Sequence, residues 1–292
     1  MRRKCFAVAG AFVTAGQLPP LPAAIRGERT IARANIALRL ALALTACAMS
    51  GPLAAAELSA AQVRALLARA TVEAPADLRG KDLSDIDLSG ADLRHADMTG
   101  ANLFGARLVS ANLRGTILAG ANLNGAWLMG ADFSGAKLTK ASLLSVVILG
   151  GEIKTMPVFA GADMRDVRMI ADLPRANLAG ADLTRARIGV DIRNQGMGQM
   201  RTDLSGADLS GVDFSGADLN RSLMSFAKLA GSNLRGANLF RVKLEGADLT
   251  GADVTDADFS EADLDGTILR GVKGLEHARG LERAEHYDRA LR

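Results

Sequence analysis

Residues 91–130 read ADLRH ADMTG ANLFG ARLVS ANLRG TILAG ANLNG AWLMG. An apolar residue stands at the centre of every block of five. Ala or a small residue lies two positions before it, and Gly recurs two positions after it. Working outward, the central apolar residue keeps to every fifth position from Leu78 to Ile148, fifteen in all, and again from Leu204 to Leu269, fourteen in all. Neither regular element accommodates this period. An α-helix turns about 100° per residue, so five residues advance the side chain by about 140° net and the leucines spiral around the axis. A strand alternates faces with period two, so an odd period sends successive leucines to opposite faces. A chain that turns a corner after each block gives all of them one core. Four blocks then close one square coil, and Gly suits the corner. Successive coils stack at the strand spacing of about 4.8 Å.

The acidic residues support a coil of four blocks. At that spacing the residue before each central one forms columns such as Asp208–Lys228–Asp248, Asp213–Asn233–Asp253 and Asp218–Asn238–Asp258, and no two Asp of residues 203–263 stack directly. In the first tract only Asp77–Asp97 does so. A coil of three blocks would set Asp203 on Asp218 and Asp248 on Asp263. Stacked like charges destabilise, whereas stacked Asn can share hydrogen bonds.

Blocks such as Ala101-Asn102-Leu103-Phe104-Gly105, Ala207-Asp208-Leu209-Ser210-Gly211 and Ala247-Asp248-Leu249-Thr250-Gly251 resemble the pentapeptide-repeat family, over roughly residues 76–271. The resemblance implies an all-β solenoid, a right-handed quadrilateral β-helix. It says little about activity, because the matching residues are scaffold positions. Both ends of such a solenoid need covering. Ser59 as N-cap with Val63, Leu66 and Leu67 at helical spacing predicts a short helix within an N-terminal cap over residues 57–75. Leu275, Ala278, Leu281, Ala284 and Leu291 predict a C-terminal helical cap over residues 272–292.

The rhythm breaks near residues 150–161 and 189–202. Ile148 to Met164 and Ile188 to Leu204 each exceed three blocks by one position, and Asp172-Leu173-Pro174-Arg175 is a unit one position short. These are bulges that let the coil continue or loops that protrude from it. Loops on a rigid scaffold are where binding concentrates. The polar segment 191–201 is the candidate partner-binding loop, with Arg193, Asn194, Gln195 and Gln199 as its contacts. Met156, Met164, Met169, Met197 and Met200 gather in this region. Thioethers suit Cu(I), but Met164 and Met169 fall at core positions, where Met fills space.

Residues 1–56 differ in composition. Arg26, Arg29, Arg33 and Arg39 precede the apolar run 40–49, and Ala54 and Ala56 form an A-x-A site that places cleavage between Ala56 and Glu57. That run is too short to span a bilayer, which takes about 20 residues. This segment reads as an export signal, so the mature protein is expected in the periplasm or secreted, with no transmembrane span. A second reading takes Leu44-Thr45-Ala46-Cys47 as a lipobox and Cys47 as a lipid anchor. The net charge of +3 divides accordingly. Residues 1–56 hold seven of the 35 Lys and Arg and one of the 32 acids; the remaining 28 and 31 leave about −3. Both cysteines also lie in this segment.

Catalytic motifs are not evident. His95, His277 and His286 follow no ligand spacing, the Asp residues repeat one scaffold slot, and no phosphate-binding Gly motif precedes a helix. No catalytic residue, cofactor or metal is expected. At 4% aromatic residues, base stacking is poorly provided for, and no nucleic-acid partner is expected. Asp248, Asp253, Asp258, Glu261 and Asp263, together with Asp256 and Asp265, read as an acidic end that would attract a basic partner. Two functional classes follow: an exported scaffold that binds a protein partner, or, as the resemblance implies, a DNA-mimicking protein that binds DNA gyrase in the cytoplasm. Oligomeric state is left open.

Overall fold

The computed structural model describes residues 58–148, 155–190 and 201–292. The cleavage pair Ala56 and Glu57, the lipobox Cys47, and the loop residues Arg193, Asn194, Gln195 and Gln199 lie outside the described residues. Residues 56–292 form one compact unit.

Within it the chain runs as ten stacked coils of four sides. The residue preceding each central one pairs in parallel with its counterpart one coil on, and these pairings trace one column on each side. The first column is Asp77, Asp97, Ile117, Lys137, Asp163, Asp182, Asp213, Asn233, Asp253 and Lys273. The second runs from Asp82 through Asn102, Asn122, Ser142, Arg168, Arg187, Asp218, Asn238 and Asp258 to Arg279. Strands are short: β1 (Ala76–Asp77) pairs with β2 (Ala96–Asp97), and β3 (Ser142–Leu144) with β4 (Arg168–Ile170). Elsewhere each side touches its neighbours through single bridges. Asn122 N–H donates to Ala101 O of the coil before, at 3.0 Å, and Leu103 N–H to Asn122 O, at 2.7 Å. The backbone is thus satisfied between coils.

Corners follow from the same block. Ala106 N–H donates to Leu103 O across a tight turn, and its third residue, Gly105, sits at φ +66°. That left-handed value is what the third position of a type II turn requires. Central leucines and preceding alanines point to the axis and are buried together as one core, with Phe133, Phe159, Phe214 and Phe259 among the largest side chains in it.

α1 (Ala60–Leu67) starts at Ser59, whose hydroxyl accepts from Gln62 N–H while the Gln62 side chain accepts from Ser59 N–H. This reciprocal pair satisfies two otherwise orphaned donors. Val63 is buried in the same core as the coils.

The C-terminal cap is not a helix. Arg279 stacks on Asp258, Glu285 on Asp263 and Leu291 on Ile268, so residues 273–291 are a tenth coil whose sides are each one position longer than a block. Each added residue makes a 3-10 turn, at Leu275–His277, Leu281–Arg283 and Tyr287–Arg289. A left-handed residue precedes each turn: Gly274, Gly280 and His286. The apolar spacing of three that suggests a helix is half of a period of six. Gly274, Gly280 and His286 now occupy the central positions, and Leu275, Leu281 and Tyr287 pack against the core beside them. Gly280 is held to its identity, since a Cβ there would come within 2.6 Å of Ser260 N at φ +75°.

The two interruptions differ from the arithmetic of three blocks plus one. Phe159 is a central core residue, stacked on Phe133 with ring centroids 4.9 Å apart. Asp132 accordingly pairs with Val158, and the coil is lengthened on the side after Val147. In the second interval Arg187 and Asp203 occupy successive sides of one coil, so the whole stretch between them is a single step around the core. The missing position is lost between Met169 and Leu173 rather than from 172–175, because Ala171–Arg175 completes a block with Arg175 at the corner, φ +60°. These unequal coils also stack like charges that regular spacing keeps apart: Asp163, Asp182 and Asp213 in one column, and Asp172 on Asp203 in another.

Candidate functional site: a basic groove on the interrupted coils

In most coils the slot before the central residue holds Asp or Asn, and its side chain is consumed by the scaffold. Asp82 Oδ1 accepts from Ser84 N–H at 3.1 Å and from Asn102 Nδ2 at 2.9 Å; Asn122 Nδ2 donates to Asn102 Oδ1 at 2.9 Å. Coils 5 and 6 break this column with Arg168 and Arg187, stacked as direct partners and both exposed. Among the described residues neither has a carboxylate within ion-pair distance.

The corner beside them also departs from Gly. On this edge five coils use Gly80, Gly100, Gly120, Gly216 and Gly236 at positive φ, whereas coils 4, 5 and 6 place Lys140, Asp166 and Arg185 there, at φ +61°, +57° and +55°. Asp256 of coil 9 is the other corner of this edge with a side chain. A residue with a Cβ costs roughly 1–2 kcal/mol in this region. Three consecutive charged corners thus stand beside the Arg168–Arg187 pair, as Arg221, Arg241 and Glu261 do on the next edge of coils 7–9.

Together these residues line a groove of about 550 Å³ bounded by Lys140, Asp166, Arg168, Arg185, Ala186, Arg187, Gly216 and Asp218. Arg185 pairs with Asp166 at 2.8 Å, which holds the Asp166 carboxyl below its ordinary value and raises the guanidinium. Asp218 accepts from Asn220 Nδ2 and Asn238 Nδ2 at 2.8 and 2.9 Å. Among the described residues Lys140, Arg168 and Arg187 form no ion pair. On the neighbouring side Arg165 bridges the stacked acids, at 2.7 Å from Asp163 and 3.6 Å from Asp182, and its hydrogen bond keeps the Asp163 carboxyl low. Among the described residues no cation pairs with Asp172; partial desolvation and the Asp203 carboxylate raise it. The groove can hold an anionic group between guanidiniums.

The sequence alone does not single out these residues. The available signal is Arg in the Asp/Asn slot at both 168 and 187, and a non-Gly corner at 140, 166 and 185.

The expected acidic end is not a patch. Asp248, Asp253, Asp258 and Asp263 stand on four different sides of the solenoid, with Glu261 at a corner. Adjacent coils bring cations to them: Arg235 to Asp253 at 3.2 Å, Arg241 to Glu261 at 2.6 Å, Lys243 to Asp263 at 3.0 Å, and Arg289 to Asp265 at 3.2 Å. The residues expected at the end are covered by the tenth coil, which carries Lys273 and Arg279 onto Asp253 and Asp258. Asp263, Glu285 and His286 each offer a ligand atom within 4.8 Å of the others, but the Lys243 ammonium sits among them, 3.0 Å from Asp263 and 3.2 Å from Glu285. This is a network of paired charges. The Asp263 contact raises His286 above its ordinary value.

The model of pentapeptide repeats matches eight copies, over residues 76–108, 106–143, 200–236 and 237–273. The chain belongs to the pentapeptide-repeat family. The matched segments of this pentapeptide-repeat protein stop at residue 143 and resume at 200, so Arg168, Arg185 and Arg187 lie in the stretch that the repeat pattern does not describe. Comparison with curated proteins gives no match. Among solved structures, HetL from the cyanobacterium Nostoc, a pentapeptide repeat protein involved in heterocyst differentiation regulation, is 28% identical over 80% of this chain and 95% of its own, with a TM-score of 0.37. A pentapeptide repeat protein of the Arabidopsis thaliana thylakoid lumen is 30% identical over 39% of this chain and 65% of its own, at 0.23. QnrB1, a plasmid-mediated fluoroquinolone resistance protein, is 21% identical over 64% and 88%, at 0.27.

Proposed function

We propose that this pentapeptide-repeat protein is an exported, non-catalytic scaffold of the bacterial cell envelope, periplasmic or secreted, that binds a protein partner through coils 4–6. One observation carries the reading. Asp and Asn of the regular coils are spent on the ladder between coils, while coils 4–6 depart from the repeat and bring Lys140, Arg168 and Arg187, which form no ion pair among the described residues, into one groove. The A-x-A site at Ala54 and Ala56 supports export, and Leu44-Thr45-Ala46-Cys47 supports a lipid-anchored form of the same scaffold. A cytoplasmic gyrase-binding role as a DNA mimic needs a continuous acidic face, and the paired, dispersed carboxylates of coils 8–10 argue against it.

Fractionation with mass spectrometry of the mature N-terminus tests the location. Export predicts an envelope or secreted protein that begins at Glu57, or at an acylated Cys47. A cytoplasmic protein that retains residues 1–56 overturns it. Photo-crosslinking in the native envelope from position 187, against position 94 on the regular coils, tests the binding face. An adduct specific to 187 is expected, and an adduct specific to 94 moves the face elsewhere.

A further inference from the structure

We infer that the groove on coils 4–6 takes an acidic peptide segment, whose carboxylates seat between Arg168, Arg187 and Lys140; this rests on the protein-binding reading above. Three observations select the ligand class. First, Arg168 and Arg187 are direct backbone partners in adjacent coils, whose spacing is about 4.8 Å, so the two side chains start close enough to reach one carboxylate or two neighbouring ones. Their positions are set by the backbone ladder, since Arg168 N–H donates to Ala141 O at 3.0 Å and Arg187 N–H to Val167 O at 2.8 Å. The backbone is therefore ordered before binding, and only the two side chains have to be fixed.

Second, the groove contains anions of its own. Asp166 and Asp218 alternate with the cations. A uniform polyanion such as nucleic acid, or a sheet of lipid phosphates, would set a phosphate against Asp218 and compete with Asp166 for Arg185. A peptide, with spaced carboxylates and backbone N–H donors, can meet cations and acids in turn. Third, among the described residues the lining carries no aromatic ring and no large apolar side chain, and only Ala186 and Gly216 in it are uncharged. It has no platform for a base and nothing to insert into a bilayer.

The test uses the purified full chain and a short fluorescent peptide whose glutamates are spaced by serine and glycine, read by anisotropy. Competitors are a single-stranded oligonucleotide and vesicles of phosphatidylglycerol. The groove variant is Arg168→Gln/Arg187→Gln. A charge-matched control is Arg79→Gln/Arg94→Gln, because those arginines already pair with Asp77 and Asp92 at 2.8 and 2.6 Å. The groove variant is expected to weaken peptide binding at least tenfold, and the control by less than twofold, with thermal unfolding unchanged in the groove variant. Equal losses in both variants would mean net charge alone attracts the peptide, and preferential binding of oligonucleotide or vesicles would replace the ligand class; either overturns the proposal. The outcome does not depend on location. Export can fail while the groove binds, and an envelope partner can exist while the groove does not.

Discussion

Coils 7–9 and coils 4–6 are built from the same block, yet they treat their outward side chains differently. In coils 7–9 the Asp and Asn of the ladder slots answer one another, although Asn220 Oδ1, Arg221 Nε, Ser222 Oγ and Ser232 Oγ are buried with no partner among the described residues. Asn233 Nδ2 donates to Asp213 Oδ2, Asn238 Nδ2 to Asp218 Oδ1, and the Asp248 and Asp253 carboxylates each accept two bonds from the Thr two positions on, which lowers both. In coils 4–6 the blocks are lengthened or shortened, and the ladder gives way to Arg168 on Arg187. On the proposed reading, binding capacity belongs where the repeat is least faithful, and the regular coils on either side carry the fold. Because coils interact mainly with their neighbours, such a local departure can be tolerated.

That contrast can be broken in several ways. The largest effect is expected from the common core. Phe214 is fully buried in coil 7, and Phe214→Ala is expected to cost about 3–5 kcal/mol. Removing residues 194–199 from the inserted segment is expected to change stability by no more than about 1 kcal/mol, because loop length enters only logarithmically. Urea unfolding of both variants checks this, and a deletion as damaging as Phe214→Ala would make the segment part of the scaffold. Next is Gly280→Ala. The new Cβ meets Ser260 N at 2.6 Å in a left-handed residue, and roughly 1–3 kcal/mol of strain should loosen the tenth coil. Hydrogen exchange should show protection lost in residues 273–291 while coils 1–3 stay protected; uniform loss would show that the end coil is not a separable unit.

A smaller effect of opposite sign is expected from Arg168→Asn/Arg187→Asn. This restores the ladder residue and offers Asp218 a partner, so thermal stability should rise, by up to about 1 kcal/mol, while peptide binding is lost. A fall in stability would mean the arginines serve the fold. The smallest effect concerns pH. The Asp263 hydrogen bond raises His286 above its ordinary value. Its stabilisation is therefore complete below the unfolded value of about 6.5 and is lost as pH climbs through the raised value. Unfolding of His286→Gln should lack this dependence, whereas an unchanged profile would assign it to another group.

Much of this fold is legible from Leu78 onward, because burial imposes period five directly on the leucines and alanines. The Ser59 cap is equally plain, being a contact between residues three apart. Legibility ends where meaning depends on residues far apart in sequence. The interval from Ile188 to Leu204 fits three blocks plus one as well as a single long step, and only the stacking of Asp203 on Asp172 decides. The C-terminal coil imitates a helix because its period of six contains threes. The groove is hidden for the first reason: Arg168 meets Arg187 only once the coil between them is known to be one position short. The Asp248–Asp263 run shows the reverse, since residues close in sequence are dispersed to different sides.

The unequal coils share one further property. In the regular tracts Asn102 pairs with Asn122 and Asn238 with Asp258, four blocks on; across coils 4–6 the same column steps from Ser142 to Arg168, then to Arg187, then to Asp218. No two of those three steps have equal length, and the column nevertheless keeps to its own side. The insertions alter contour length without altering phase. Adding one block would instead turn everything beyond it by a quarter revolution, carrying Asp218 away from the arginines it now flanks. Adding four would move the groove one step further from an end and preserve its composition. The molecule thus behaves as an indexed shaft, on which change is neutral only in whole revolutions or in excursions that return to their point of departure.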